Sequence, residues 1–199
     1  QNLPAKQAAK VPTCPAGVHP TNKTCCEPVQ PFEHVWSGLQ LDTTHGKYPV
    51  IVFIHGTGAW RSYMLHLAEL WASRGFVVFA AAYPGITTYD MQRLQGKADQ
   101  EGDTKLIIDE LTSLTHPDLQ FLKGHIDMDR LGITGHSAGG YATGSLSKTD
   151  GQVLIPMAGG GTTKRLADKY STLVLGGAAD TVVGGCQGPG YTSSPAPKR

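Results

Sequence analysis

Gly135-His136-Ser137-Ala138-Gly139 fits the pattern Gly-x-Ser-x-Gly, and its flanks give these five residues their meaning. On the N-terminal side, Arg130-Leu131-Gly132-Ile133-Thr134 is a short apolar run that predicts a buried strand. On the C-terminal side, Gly140-Tyr141-Ala142-Thr143-Gly144-Ser145-Leu146 can carry a helix. Strand, sharp turn and helix are the context in which a serine is lifted to the rim of a sheet as a nucleophile elbow. The flanking glycines have a physical reason, since a larger residue would keep strand and helix from packing closely around a strained turn. The competing interpretation is a Gly-rich turn with an incidental serine.

The surrounding chain is compatible with a globular host for that turn. At 199 residues it is long enough for one domain with a real core. Its 40% hydrophobic content and 25 scattered glycines suit an α/β protein better than a disordered one. A formal net charge of +1 gives no electrostatic reason to expect nucleic acid or an anionic membrane. The longest apolar runs, such as 76–83, are too short to span a bilayer.

The chain begins at Gln1 without a methionine and shows no signal peptide, so we expect a mature, secreted form. Cys14, Cys25 and Cys26 crowd the N-terminal stretch and Cys186 stands alone near the end. Their spacing fits no zinc site and no metal is expected; a disulfide pinning the N-terminal segment is the expectation, against free thiols as the alternative. Asn22-Lys23-Thr24 is an N-glycosylation sequon in the same stretch.

Residues 1–34 carry six prolines and little periodicity, which predicts an irregular arm. Residues 35–183 hold the regular pattern, and 35–41 is a candidate outer strand. Tyr48-Pro49-Val50-Ile51-Val52-Phe53-Ile54 is almost continuously apolar, as in a parallel strand covered on both faces. It ends in His55-Gly56-Thr57-Gly58. Tyr63, Leu65, Leu67, Leu70 and Trp71 recur near helical spacing, with Gly75 placed to end the helix. The run 76–82 predicts a second buried strand, and 86–102 is polar and unpatterned, suggesting a surface loop or cap. Asp103 is the expected N-cap of a helix that stops before Pro117. Further strands are expected at 153–157 and 172–176, with a short helix at 163–170 between them. Strands alternating with helices in this way predict an α/β fold with a doubly wound, mostly parallel sheet. The tail 184–199 is rich in Gly, Pro and Ser and ends in Lys198-Arg199, a candidate dibasic processing site.

A serine hydroxyl is a weak nucleophile until a base takes its proton. At an elbow the N–H of Ala138 is one donor to the developing oxyanion. The second donor comes from the loop after the first core strand, where we assign the N–H of Thr57. An ordinary strand-ending turn is the alternative for that loop. Asp180 ends the last strand, at the sheet edge where open α/β sheets place their sites, and is the candidate acid that orients a histidine. Its alternative role is to cap a turn. Trp60, Tyr63 and Tyr83 are expected near the oxyanion loop and suggest an aromatic-walled substrate pocket, with core packing as the alternative.

Taken together, Pro49 to Gly58, the run from Asp129 to Gly140, and Leu173 to Val183 resemble the α/β-hydrolase fold. They are most similar to its branch of chlorophyllase-like enzymes, polyester hydrolases and platelet-activating-factor acetylhydrolase-like esterases. The resemblance covers 48–183. It implies a serine carboxylic-ester hydrolase with an acyl-serine intermediate, no cofactor, Ser137 as nucleophile and Asp180 as acid. The chain departs from the family in one respect. The family's catalytic histidine follows the acid after one more strand, and none of the eight histidines here follows Asp180. His55 and His136 are each expected to be core histidines. His19, His34, His45, His66, His116 and His125 are expected at the surface or in loops.

Three readings are therefore open. In the leading one, the last strand, helix and histidine of the fold sit on a second polypeptide of the same precursor, cleaved after Arg199, with Cys186 available to bridge the two. The others are a binding module of hydrolase fold without catalysis, and an esterase whose histidine has moved within this chain, His55 being the candidate. Acyl specificity is not legible in the sequence.

Overall fold

The computed structural model describes residues 35, 38–87, 90, 98–146, 151–159, 171–177 and 179–183. Strand β1, Tyr48–Ile54, forms from the near-continuous apolar run. Helix α1, Leu65–Ala72, follows it, and Gly75 ends the turn behind that helix in the left-handed region at φ 85°. Strand β2 is Val77–Ala80 and helix α2 is Gln100–Ser113. After a 3-10 helix at Pro117–Leu122 come β3, Ile126–His136, and α3, Ala138–Ser145. Strands β4, Val153–Met157, and β5, Ser171–Thr172, complete the described elements.

The sheet order is β2-β1-β3-β4-β5 and every pairing is parallel. This is the expected doubly wound α/β arrangement, and it carries the α/β-hydrolase strand–elbow–helix at β3–α3. On one face Val50, Val52 and Ile54, each fully buried, pack with Ile133, Leu154, Leu111 and Leu146 beneath α2 and α3. Near-continuous burial explains why β1 shows no alternation in sequence. Along the other face lies an apolar cavity of ≈ 520 Å³ lined by Ile51, Trp71, Phe76, Gly132, Val153 and Ile155, among others. That cavity runs along the sheet towards Asp129 and Arg130 at the far end of the strands, away from Ser137.

Three sequence expectations change. The described residues of 35–41 form no strand, and Gly38 at φ 72° turns the chain out of the extended region there. Helix α2 starts earlier than expected. Asp99 rather than Asp103 is its N-cap, with its carboxylate accepting from the N–H of Gly102 at 2.8 Å. Asp103 lies in the first turn with Glu101, where negative charge meets the positive end of the helix dipole.

The third change is at β5, expected at 172–176, where the paired strand is two residues long with a separate bridge from Met157 to Leu175. The ladder is interrupted by Pro156. Leu173 donates to the Leu154 carbonyl and Leu175 to the Pro156 carbonyl, each at 3.0 Å. Pro156 itself has no N–H to return to β5. The expected helix at 163–170, the arm 1–34 and the tail 184–199 fall outside the described residues.

Candidate active site

The connection from β1 runs through α1 to β2 on one side, whereas the connection from β3 runs through α3 to β4 on the other. Adjacent β1 and β3 therefore part company at their C-terminal ends. Such a switch point opens the crevice in which open α/β sheets hold their ligands. Ile54 pairs with Gly135 across the two strands, so the loop 55–58 faces Ser137 directly.

Ser137 occupies φ 56°, ψ −119°, a conformation rarely adopted by a residue with a side chain. Strain of this kind costs on the order of 1–3 kcal/mol and persists only where its surroundings hold it. Here the Ser137 N–H donates to the Met157 carbonyl at 2.9 Å, and its own carbonyl accepts from Tyr141 at 3.0 Å. A Cβ at Gly135 would overlap the Gly139 carbonyl, and one at Gly139 would overlap the Ile54 carbonyl. The two glycines of the motif are thus required by close approach. From the β4 side, Ala158 at φ 44° leads into Gly159, which lies against the Ser137 carbonyl.

Ala138 is the first residue of α3, so its N–H has no acceptor within the helix. Thr57 is exposed at the tip of a turn closed by Ala59 N–H to the Gly56 carbonyl at 3.2 Å, with Gly58 N–H bound to the Ile86 carbonyl at 2.8 Å. Gly56 abuts the elbow itself. A Cβ there would lie 2.9 Å from both the Ser137 Cβ and the His136 carbonyl. The two candidate donors and the candidate nucleophile thus belong to segments in van der Waals contact.

The aromatic residues separate. Tyr63 is 48% exposed and stacks on the His136 ring with centroids 5.9 Å apart and planes at 29°. His136, expected to be a core residue, is half-buried at the rim under that tyrosine. Trp60 is half-buried, and its carbonyl accepts from the Tyr63 N–H at 3.0 Å. Tyr83 differs: at 1% exposure it is a core residue. Burial pushes its phenol up to about 12, and its hydroxyl lies 3.0 Å from that of Thr104.

His55 is fully buried, as expected for a core histidine. Its Nε2 accepts from the Tyr83 N–H at 3.0 Å. An amide can only donate, so the ring proton is on Nδ1, which donates to the Gly56 carbonyl at 2.9 Å. With both nitrogens held by backbone groups, His55 is not placed to take a proton from Ser137.

Asp180 is half-buried beyond β5. Its Oδ1 accepts from the N–H groups of Val182 at 2.9 Å and Val183 at 3.1 Å. Its own N–H donates to the Gly177 carbonyl at 3.1 Å. In this structure the carboxylate caps its own turn, and no hydrogen bond joins it to a histidine among the described residues. His45, His116 and His125 lie in the connections leading into β1 and β3, at the opposite end of the sheet from Ser137. Among the described residues no cluster of His, Cys, Asp or Glu could hold a metal, and no helix is long and apolar enough to cross a membrane. Asn22, the four cysteines and Lys198-Arg199 lie outside the described residues.

Sequence reading missed Gln100. It sits at the end of the polar, unpatterned stretch 86–102, yet it is 7% exposed and donates through Nε2 to the His55 carbonyl at 2.7 Å. The available signal was its spacing of four from Thr104, which puts both on one face of α2.

Residues 27–158 match the Chlorophyllase family. A bis(hydroxyethyl) terephthalate hydrolase from Streptomyces coelicolor is 31% identical over 144 residues, 70% of this chain and 42% of the relative. A putative esterase, YitV, from Bacillus subtilis is 31% identical over 124 residues, 60% of this chain and 46% of the relative. The chain thus spans less than half the length of these curated relatives. Among solved structures, a ferulic acid esterase from Streptomyces cinnamoneus is similar at 22% identity and TM-score 0.46, covering 66% of this chain and 43% of that one. The family match runs unbroken from β1 through the elbow to the end of β4, and with it the chain belongs to the chlorophyllase family.

Proposed function

We propose that the protein is a serine hydrolase acting on carboxylic esters through an acyl-serine intermediate. The observation that carries this reading is Ser137 in its strained conformation at the N-terminus of α3, against the turn that presents Thr57. In this reading the Ser137 hydroxyl attacks the ester carbonyl, and the N–H groups of Ala138 and Thr57 receive the oxyanion. The tetrahedral adduct collapses with loss of the alcohol, and water then releases the acid. The two relatives named above bear hydrolase or esterase names, which supports the reaction class. Incubation of the native protein with a fluorophosphonate, followed by peptide mapping, tests it. Label at Ser137 is expected; label elsewhere in an ester-hydrolysing sample overturns the assignment.

We assign the general base to a histidine on a further polypeptide of the same precursor, oriented by Asp180. The hydrogen bonds that occupy His55 support an outside base, as do matched relatives more than twice as long as the aligned region. Intact-mass analysis of the native protein should show the second fragment. Secretion, a disulfide in the N-terminal arm and glycosylation at Asn22 are proposals that rest on the sequence features alone.

A second reading, a binding module of hydrolase fold, is favoured by one observation: the Asp180 carboxylate is engaged in its own turn. Absence of ester turnover in native material that still binds an ester ligand would select it.

A further inference from the structure

We infer that His55 and Gln100 are positioning residues for the oxyanion site, acting on the peptide that carries the Thr57 N–H. The inference rests on the serine-hydrolase reading and names a part of its machinery that the family match does not assign.

The Gly56 carbonyl and the Thr57 N–H belong to one planar trans peptide, in which the two groups point in opposite directions. Whatever holds the carbonyl therefore aims the N–H. Two donors hold it: His55 Nδ1–H at 2.9 Å and the Ala59 N–H at 3.2 Å. The Ala59 bond belongs to the turn itself, whereas the His55 ring ties the peptide to the core. That ring is in turn held at Nε2 by the Tyr83 N–H at 3.0 Å and packed edge-on to the Tyr83 ring at 5.5 Å.

The preceding peptide is held as well, because Gln100 Nε2 donates to the His55 carbonyl at 2.7 Å. Gln100 is fixed through its own backbone. Its carbonyl accepts from the Thr104 hydroxyl at 2.6 Å, and that hydroxyl, having spent its proton, accepts from Tyr83 at 3.0 Å. His55, Tyr83, Thr104 and Gln100 are all buried. Buried networks with every polar atom satisfied hold one geometry, since any alternative leaves a donor or acceptor unpaired in a medium without water. The first turn of α2 thus sets the direction of a donor at the mouth of the elbow.

Two amide substitutions of His55 separate aim from support. An Asn side-chain N–H can reach the position of Nδ1 but leaves the Tyr83 N–H unpaired. A Gln side-chain oxygen can reach the position of Nε2 but leaves the Gly56 carbonyl free. The measurements are kcat and KM on a short ester, the rate of Ser137 phosphonylation by a fluorophosphonate, and Tm, all on the native protein.

Loss of an oxyanion donor costs roughly 100- to 1,000-fold in kcat. We expect His55→Gln to lose at least about 10-fold of that with little change in KM, and His55→Asn to recover most of the loss despite a lower Tm. Gln100→Met, which keeps the side-chain length and removes the donor, should lower kcat and the phosphonylation rate in the same proportion. Equal kcat for the two His55 variants, or a wild-type rate in His55→Gln and Gln100→Met, overturns the inference while leaving the serine-hydrolase reading intact. A wild-type protein in which Ser137 does not react overturns both.

Discussion

The Cα of Gly56 lies so close to Ser137 that a Cβ on it would stand 2.9 Å from the Ser137 Cβ. The same added atom would meet the His136 carbonyl at 2.9 Å. Neither neighbour is the end of a flexible chain, so the loop or the elbow has to move. Gly56→Ala is expected to destabilise the protein by about 1–3 kcal/mol, the usual range for overpacking. Its phosphonylation rate should fall further than its Tm accounts for. An unchanged rate and Tm would show that the two segments separate freely.

Ser137 itself offers opposite effects on stability and activity. Ser137→Gly removes the side chain that makes φ 56° unfavourable, so it should raise stability by an amount on the order of the 1–3 kcal/mol stored there. Ser137→Ala keeps the conformational cost and gains nothing. Both should abolish turnover, since loss of such a nucleophile costs on the order of a million-fold. Calorimetry and ester hydrolysis on the same samples decide both points.

Asp180→Asn keeps an oxygen that can accept from Val182 and Val183, so the turn should survive and Tm should hold. If the carboxylate orients a histidine in the native enzyme, turnover falls by about four orders of magnitude. A wild-type rate would show that the residue serves the turn alone.

Tyr63 exposes half its surface beside the elbow and stacks on His136. Flat substrate groups should pack on that pair, with an offset-stacked aromatic contact contributing about 0.5–1.5 kcal/mol. Tyr63→Leu should therefore lower kcat/KM for benzoate-type esters several-fold and leave butyrate esters nearly unchanged. Equal losses on both would point to a structural role for the ring.

The Tyr83 phenol supplies a pH signature. Its value in the folded protein is raised from 10.0 to about 12, chiefly by burial. Below pH 10 the phenol is neutral in both states and its contribution is fully present. Above pH 10 the unfolded chain ionises first, so that contribution is lost progressively as pH rises through about 12. Urea titrations across this window should show a steeper loss of stability in the wild type than in Tyr83→Phe. Parallel curves would mean that the phenol titrates alike in both states.

The sequence alone determined the parallel sheet, the elbow and the loop that meets it. These are largely local in origin: an apolar run of seven residues bounded by turn signals suits a buried strand, and the glycines of Gly-x-Ser-x-Gly mark a tightly packed turn. The bounds of β1 and β4 were legible for that reason. The start of α2 was not. Asp99 and Asp103 are both good caps, and the choice falls to the burial of Gln100 and Thr104 on a face that only the assembled core defines. The same holds for His55. Its place after a strand suggested either a base or a core residue, and the choice was made by Tyr83, 28 positions away, whose N–H fixes the ring tautomer. Tyr83 and Tyr63, both candidate pocket aromatics by sequence, are likewise separated by tertiary packing, one under α2 and the other at the rim on His136. Side-chain environments are made by contacts between distant segments, so they became visible only when the strands were laid side by side.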